Sequence, residues 1–130
     1  MRNGEPHLEQ TILSVLSQTY DNVEYIVIDG ASTDGTRDII KKYDDRIAYW
    51  ISEPDRGIYD AMNKGIAAAA GNLVGLLNSD DYYEKGAVES IVSAYRESGE
   101  ERFSIIYGDY HIIDEALGIR TLFHSHERFW

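Results

Sequence analysis

The segment GLLNSDDYYEKG, Gly75 to Gly86, passes from an apolar run straight into two adjacent acids, Asp80 and Asp81. Neighbouring carboxylates repel one another unless solvent, hydrogen bonds or a cation compensates. A divalent cation is the economical answer. Mg²⁺ or Mn²⁺ takes one or two protein carboxylates and completes its shell with water and substrate phosphates. The competing reading is a turn in which Asn78, Ser79 and Asp80 cap the next helix. An EF-hand is excluded: Asn78, Asp80 and Glu89 would fall at loop positions 1, 3 and 12, but Tyr82 and Tyr83 occupy positions 5 and 6, so the required Gly is absent.

Two further stretches carry chemistry. In VIDGASTDGT, Val27 to Thr36, Asp29 is flanked by Gly30, Gly35 and small hydroxyl residues. Such a loop lets a planar ligand approach the backbone, and an Asp there can accept hydrogen bonds from a base or sugar. An Asx-type turn is the plainer reading of the same residues. The spacing is neither that of a phosphate-binding P-loop nor that of a Rossmann Gly-x-Gly-x-x-Gly. In SEPDRGIYDAMNKG, Ser52 to Gly65, a polar loop enters a helix whose start carries Asp60, Asn63 and Lys64. Helix starts attract anions, which suits a diphosphate neighbourhood. His124 and His126 would share a face of an extended segment and so are candidate metal ligands, against a packed or loose C-terminal segment. The ten tyrosines read as half-buried packing residues, one of which could stack on a base.

These residues need elements to hold them. Leu8, Ile12, Val15 and Leu16 recur at helical spacing before the strand-like run Val23 to Ile28. Ile39, Ile40 and Tyr43 mark a second helix before a strand at Ile47 to Ile51. Tyr59, Met62, Ile66 and Ala70 mark a third before a strand at Leu73 to Leu77, and Val88, Ile91, Val92 and Tyr95 a fourth before a strand at Phe103 to Tyr107. Short apolar strands alternating with helices predict an α/β domain with a mostly parallel sheet covered by helices on both faces. Ligands bind such sheets outside the carboxyl ends of the strands. Asp29, Glu53, Asp55, Asp80, Asp81 and Asp109 would then gather along one edge. The segment after Asp114 is mixed and supports no assignment.

Composition limits the partners. The chain has 130 residues, 43% hydrophobic, which is enough for one globular domain with a core over residues 1–130. A formal charge of −11 and the absence of a basic block make nucleic acid an unsuitable partner. There is no cysteine, so neither a disulfide framework nor thiolate chemistry is available. With no signal-peptide pattern and no apolar span of membrane length, a cytoplasmic location is the expectation.

Taken together, TILSVLSQTYDNVEYIVIDGASTDGT, SEPDRGIYDAMNKGIAAAAGN and LLNSDDYY resemble the family-2 glycosyltransferases, inverting enzymes of the GT-A fold, in the correct order between Asn3 and Asp109. Bacterial members that build capsule, O-antigen or exopolysaccharide are the nearest in character. The resemblance implies transfer of a sugar from a nucleotide-diphosphate donor, UDP-linked foremost, to an acceptor hydroxyl with inversion, assisted by Mn²⁺ or Mg²⁺. It implies that Asp29 contacts the nucleoside and that Asp80 and Asp81 contact donor ribose and metal, with Asn63 and Lys64, from the helix start described above, as further candidate donor-binding residues. It also implies a saccharide or lipid-linked acceptor and room for peripheral membrane association of a full-length protein.

The departures are Asn78 where many members carry the motif's first Asp, Met62 where many carry an Arg, and Arg2 in place of an aromatic residue. Family members open on an apolar strand before the turn at Asn3 and Gly4, and the family's general base lies in a following acceptor half. The expectation is therefore an incomplete domain lacking its first strand, with no nameable catalytic base, inactive alone and prone to homo-oligomerise. Two other classes stay open: a noncatalytic nucleotide-binding or assembly module of the same fold, and a nucleotidyltransferase, which would want a Gly-rich, basic first loop that this sequence lacks.

Overall fold

A computed structural model describes residues 1–99 and 105–124. The chain divides into two compact units, Met1–Glu89 and Ser90–Trp130. The first holds helix α1 (Glu5–Leu16), strand β1 (Ile26–Asp29), helix α2 (Thr36–Lys42), strand β2 (Tyr49–Ser52) and helix α3 (Ile58–Ala68). Helix α4 (Ala87–Glu97) spans the division, and the second unit continues into strands β3 (Tyr110–Asp114) and β4 (Ile119–Phe123).

β1 and β2 pair in parallel, with Ile26 opposite Tyr49 and Asp29 opposite Ser52. Successive side chains of a strand point to opposite faces. Val27 accordingly enters a core with Leu8 and Ile12 of α1, Ile40 of α2 and Ile47. Ile28 turns the other way, its Cγ1 only 3.6 Å from where a Cβ on Gly65 of α3 would stand. Helices thus cover both faces of β1, as the alternation of elements predicts.

The N-terminus closes the remaining edge of β1 at one point. The Met1 ammonium donates to Ile28 O at 2.9 Å, and Gly30 N–H donates to Met1 O at 2.6 Å. Two bonds bracketing Asp29 are the pattern of a parallel ladder. Met1 therefore occupies one rung on the side of β1 away from β2.

Two expected strands differ. Leu73 to Leu77 is irregular, with Val74 and Leu76 exposed. An apolar run becomes a strand only when neighbouring backbone fills its hydrogen bonds, and among the described residues nothing pairs with it. Of Phe103 to Tyr107, the first two residues lie outside the described residues, and Ile105 to Tyr107 are irregular. The unassigned C-terminal stretch is instead an antiparallel hairpin. Its turn is shaped by Leu117 N–H donating to the Asp114 carboxylate at 3.0 Å and by Gly118 at φ 64°. Tyr110 and Phe123 stack across the hairpin with ring centroids 5.3 Å apart.

Ile12 is fully buried at the centre of the core, whereas Leu13 beside it is 45% exposed. Ile12→Ala is expected to lower unfolding free energy by about 2–5 kcal/mol, and Leu13→Ala by about 0.5 kcal/mol or less, read by urea denaturation.

Candidate functional site

Asp29 ends β1 with no exposed surface. A buried carboxylate must be surrounded by donors, and three are present. Ser32 N–H donates to Oδ2 at 3.1 Å, Ser32 Oγ to Oδ1 at 2.5 Å, and Ser52 Oγ, from the residue paired with it on β2, to Oδ2 at 2.6 Å. Both oxygens are thus engaged by the protein. Through these bonds Asp29 shapes the loop that follows it.

That loop is bound along its length to the start of α1. Asn3 N–H donates to Ser32 Oγ at 2.7 Å, Thr33 N–H to Asn3 Oδ1 at 3.0 Å, and Gly4 N–H to Thr36 Oγ1 at 2.9 Å. The first turns of α1 and α2 also cap one another. Gly35 N–H donates to the Glu5 carboxylate at 2.9 Å, and Glu5 N–H to the Asp34 carboxylate at 3.3 Å. The Thr36 hydroxyl, with backbone donors from Thr36 and Glu5, holds the Asp34 carboxyl below its ordinary range. Ala31 sits at φ 56°, a left-handed conformation that costs a residue with a Cβ and marks a loop fixed by its surroundings.

The β2–α3 loop meets this one. A Cβ on Gly30 would press on the Asp55 carboxylate and stand 3.0 Å from the Met1 carbonyl, so glycine lets the two loops approach without displacing the Asp55 side chain. Asp55 also accepts from Gly57 N–H at 3.0 Å, and Gly57 has φ 110°. Behind it, Lys64 Nζ lies 2.8 Å from Glu53 Oε1, 3.6 Å from Asp60 Oδ2 and 3.2 Å from Pro54 O. The Glu53 carboxylate above all raises the Lys64 pKa. Asp60 is lowered chiefly by accepting Arg56 N–H. Lys64 thus ties α3 to the end of β2, while Asn63 is exposed.

Asp80 and Asp81 are exposed on an irregular loop. Asn78 Nδ2 donates to Asp81 Oδ2 at 3.0 Å, and Asp81 N–H to Asn78 O at 3.2 Å, which makes the turn foreseen at these residues. A Cβ on Gly4 would stand 3.1 Å from Ser79, so the acid loop reaches the start of α1, beside the loop that Asp29 shapes. Among the described residues no group of three or more His, Asp or Glu side chains is placed to hold a metal. Two exposed carboxylates nevertheless suit a hard cation that takes the rest of its shell from water and phosphate.

His124 Nδ1 lies 2.9 Å from the Asp109 carboxylate, while His126 lies outside the described residues, as does any pairing of the two histidines. Thr11 and Ser14 of α1 and Gln18 just beyond it, none of them singled out by the sequence motifs, bind the backbone of the acid loop through their side chains. Their spacing of three and four residues was the available signal.

The chain matches the family model described as glycosyl transferase family 2 over residues 1–122. Similar proteins include glycosyltransferase GlyA of Streptococcus pneumoniae serotype 4, 33% identical over 120 residues that make up 90% of this chain and 17% of that protein. The putative teichuronic acid biosynthesis glycosyltransferase TuaG of Bacillus subtilis is 40% identical over 90 residues, 67% of this chain and 36% of that protein. Among solved structures, S. aureus TarS superposes with a TM-score of 0.70 at 25% identity, covering 76% of this chain and 19% of that one. The chain spans well under half the length of each of these proteins. With motifs, α/β architecture and sequence similarity in agreement over most of its length, the chain belongs to glycosyl transferase family 2.

Proposed function

We propose that the chain is the donor-binding part of an inverting glycosyltransferase of cell-surface polysaccharide synthesis, taking a nucleotide-diphosphate sugar, UDP-linked foremost, and passing the sugar to a saccharide or lipid-linked acceptor. The observation that carries this reading is the meeting, at the start of α1, of the loop that follows β1 with the loop bearing Asp80 and Asp81. Parallel α/β sheets take their ligands outside the carboxyl ends of their strands. The Asp29 turn would receive the nucleoside. Lys64 and Asn63 on α3 would stand on the donor side, with Lys64 held by Glu53.

Asp80 and Asp81 would hold Mn²⁺ or Mg²⁺ together with the diphosphate. When bound, the ion supplies neutralisation of the charge that develops as the nucleoside diphosphate leaves. In the transfer itself the acceptor oxygen forms a bond to the anomeric carbon on the face opposite the leaving group. The bond from that carbon to the diphosphate oxygen breaks, its electron pair departs with the nucleotide, and the hydroxyl proton passes to a base. Sequence similarity to TuaG, described as a putative teichuronic acid biosynthesis enzyme, supports the polysaccharide assignment. Among the described residues no helix is long and apolar enough to cross a membrane. A cytoplasmic site for a nucleotide-sugar donor agrees with the reading.

Linkage between ligands tests it. Mn²⁺ and UDP together are expected to raise Tm by more than the sum of their separate shifts, because each completes the other's site. Asp81→Asn should remove the excess while leaving the unliganded Tm close to that of the parent; an undiminished excess would place the ion elsewhere. Asp29→Ala separates shaping from contact. Removing the acceptor of three donors, two of them buried, should cost on the order of 3 kcal/mol in urea denaturation. Unchanged stability with weakened UDP binding in calorimetry would instead make Asp29 a direct nucleoside ligand.

A further inference from the structure

The loop carrying Asp80 and Asp81 has no helix or strand to satisfy its backbone. Polar main-chain groups away from water need partners, so something else must supply them. Helix α1 does. Its apolar residues Leu8, Ile12 and Val15 enter the core, and a second stripe, Thr11, Ser14 and, just beyond the helix, Gln18, faces the loop. Thr11 is 3% exposed and Gln18 9%, unusual burial for polar side chains unless they are fully bonded.

Each member of the stripe takes hold of a different part of the loop. Thr11 Oγ1 lies 2.9 Å from Ser79 O and 2.8 Å from Asp81 O, the two carbonyls that bracket Asp80. Ser14 Oγ donates to Thr11 O at 2.8 Å and accepts Tyr83 N–H at 3.2 Å. Gln18 Nε2 donates to Glu84 O at 3.0 Å, and its Oε1 accepts Val88 N–H, in the first turn of α4, at 3.0 Å.

We propose that Thr11, Ser14 and Gln18 are positioning residues, and that the Thr11 hydroxyl, shared between the carbonyls on either side of Asp80, sets the direction in which Asp80 and Asp81 present their carboxylates. The proposal rests on the reading of these two acids as the cation and diphosphate site. Two adjacent like charges on an irregular loop tend to splay apart. Fixing the peptide units that precede Asp80 and follow Asp81 holds the pair in one arrangement before the ligand arrives, and the ordering cost is then met in folding rather than in binding. A purely structural role would make the same bonds but would not single out the metal-dependent part of nucleotide binding.

Thr11→Val deletes the hydroxyl at nearly constant shape, and Thr11→Ser retains it. In calorimetry, Thr11→Val is expected to weaken UDP binding in the presence of Mn²⁺ on the order of tenfold, to leave UDP binding without metal unchanged, and to be rescued by Thr11→Ser. Independently of any ligand, hydrogen exchange of the Asp81 and Tyr83 amides should quicken on the order of tenfold in Thr11→Val while β1 and α2 keep their protection. Exchange that rises equally throughout the chain, or does not rise at all, would overturn the positioning role. If the parent protein shows no coupling between Mn²⁺ and UDP, the metal reading fails, and the exchange measurement still decides whether Thr11 orders the loop. Should Thr11→Val not fold, Ser14→Ala, which removes a hydroxyl without adding bulk, is read by the same two measurements.

Discussion

The structure depends on one buried carboxylate. Asp29 lies at the tip of β1 without exposed surface, and a group of that polarity is tolerated there only because donors surround it. Ser52 brings in the end of β2, and Ser32 folds the following loop back over the strand. Ser32 in turn accepts from Asn3 at the entrance to α1. A single side chain thus joins two strands, a loop and a helix start, and the positive φ of Ala31 is held in place by the same bonds.

Helix α1 extends that organisation to the second half of the candidate site. Its apolar stripe and its polar stripe are offset around one cylinder, so burial of Leu8 and Ile12 against Val27 and Ile40 fixes where Thr11, Ser14 and Gln18 point. The hydrophobic core and the acid loop are therefore coupled through the orientation of one helix. The mutual capping of α1 and α2 by Glu5 and Asp34 adds a further restraint, since each first turn finds its donors' partner on the other helix. Acids thereby occupy two helix starts where they are electrostatically favoured.

Glycine has a specific place in this arrangement. At Gly30 a Cβ would press on the Asp55 carboxylate and crowd the Met1 carbonyl, and its absence lets the loops after β1 and β2 touch with Asp55 in place. Lys64 holds the second of these loops from behind through Glu53 and Pro54. The result is a polar rim at the carboxyl ends of two parallel strands, where the proposed donor would bind.

Local pattern in the sequence was enough to place α1 to α4, the two paired strands and the α/β class, because apolar spacing reports which face of an element is buried regardless of what covers it. It also located the acids and the turn at Asn78. Three matters were decided only by tertiary structure. Leu73 to Leu77 has strand-like residues but no hydrogen-bonding neighbour among the described residues, and pairing is a property of two segments rather than one. The hairpin of β3 and β4 carries a readable turn in Asp114 and Gly118, yet exposed, mixed strands give little alternation to detect. A residue's type states what Asp29 can accept, whereas its bonding to the Ser32 and Ser52 hydroxyls depends on a loop and on a strand 23 residues away.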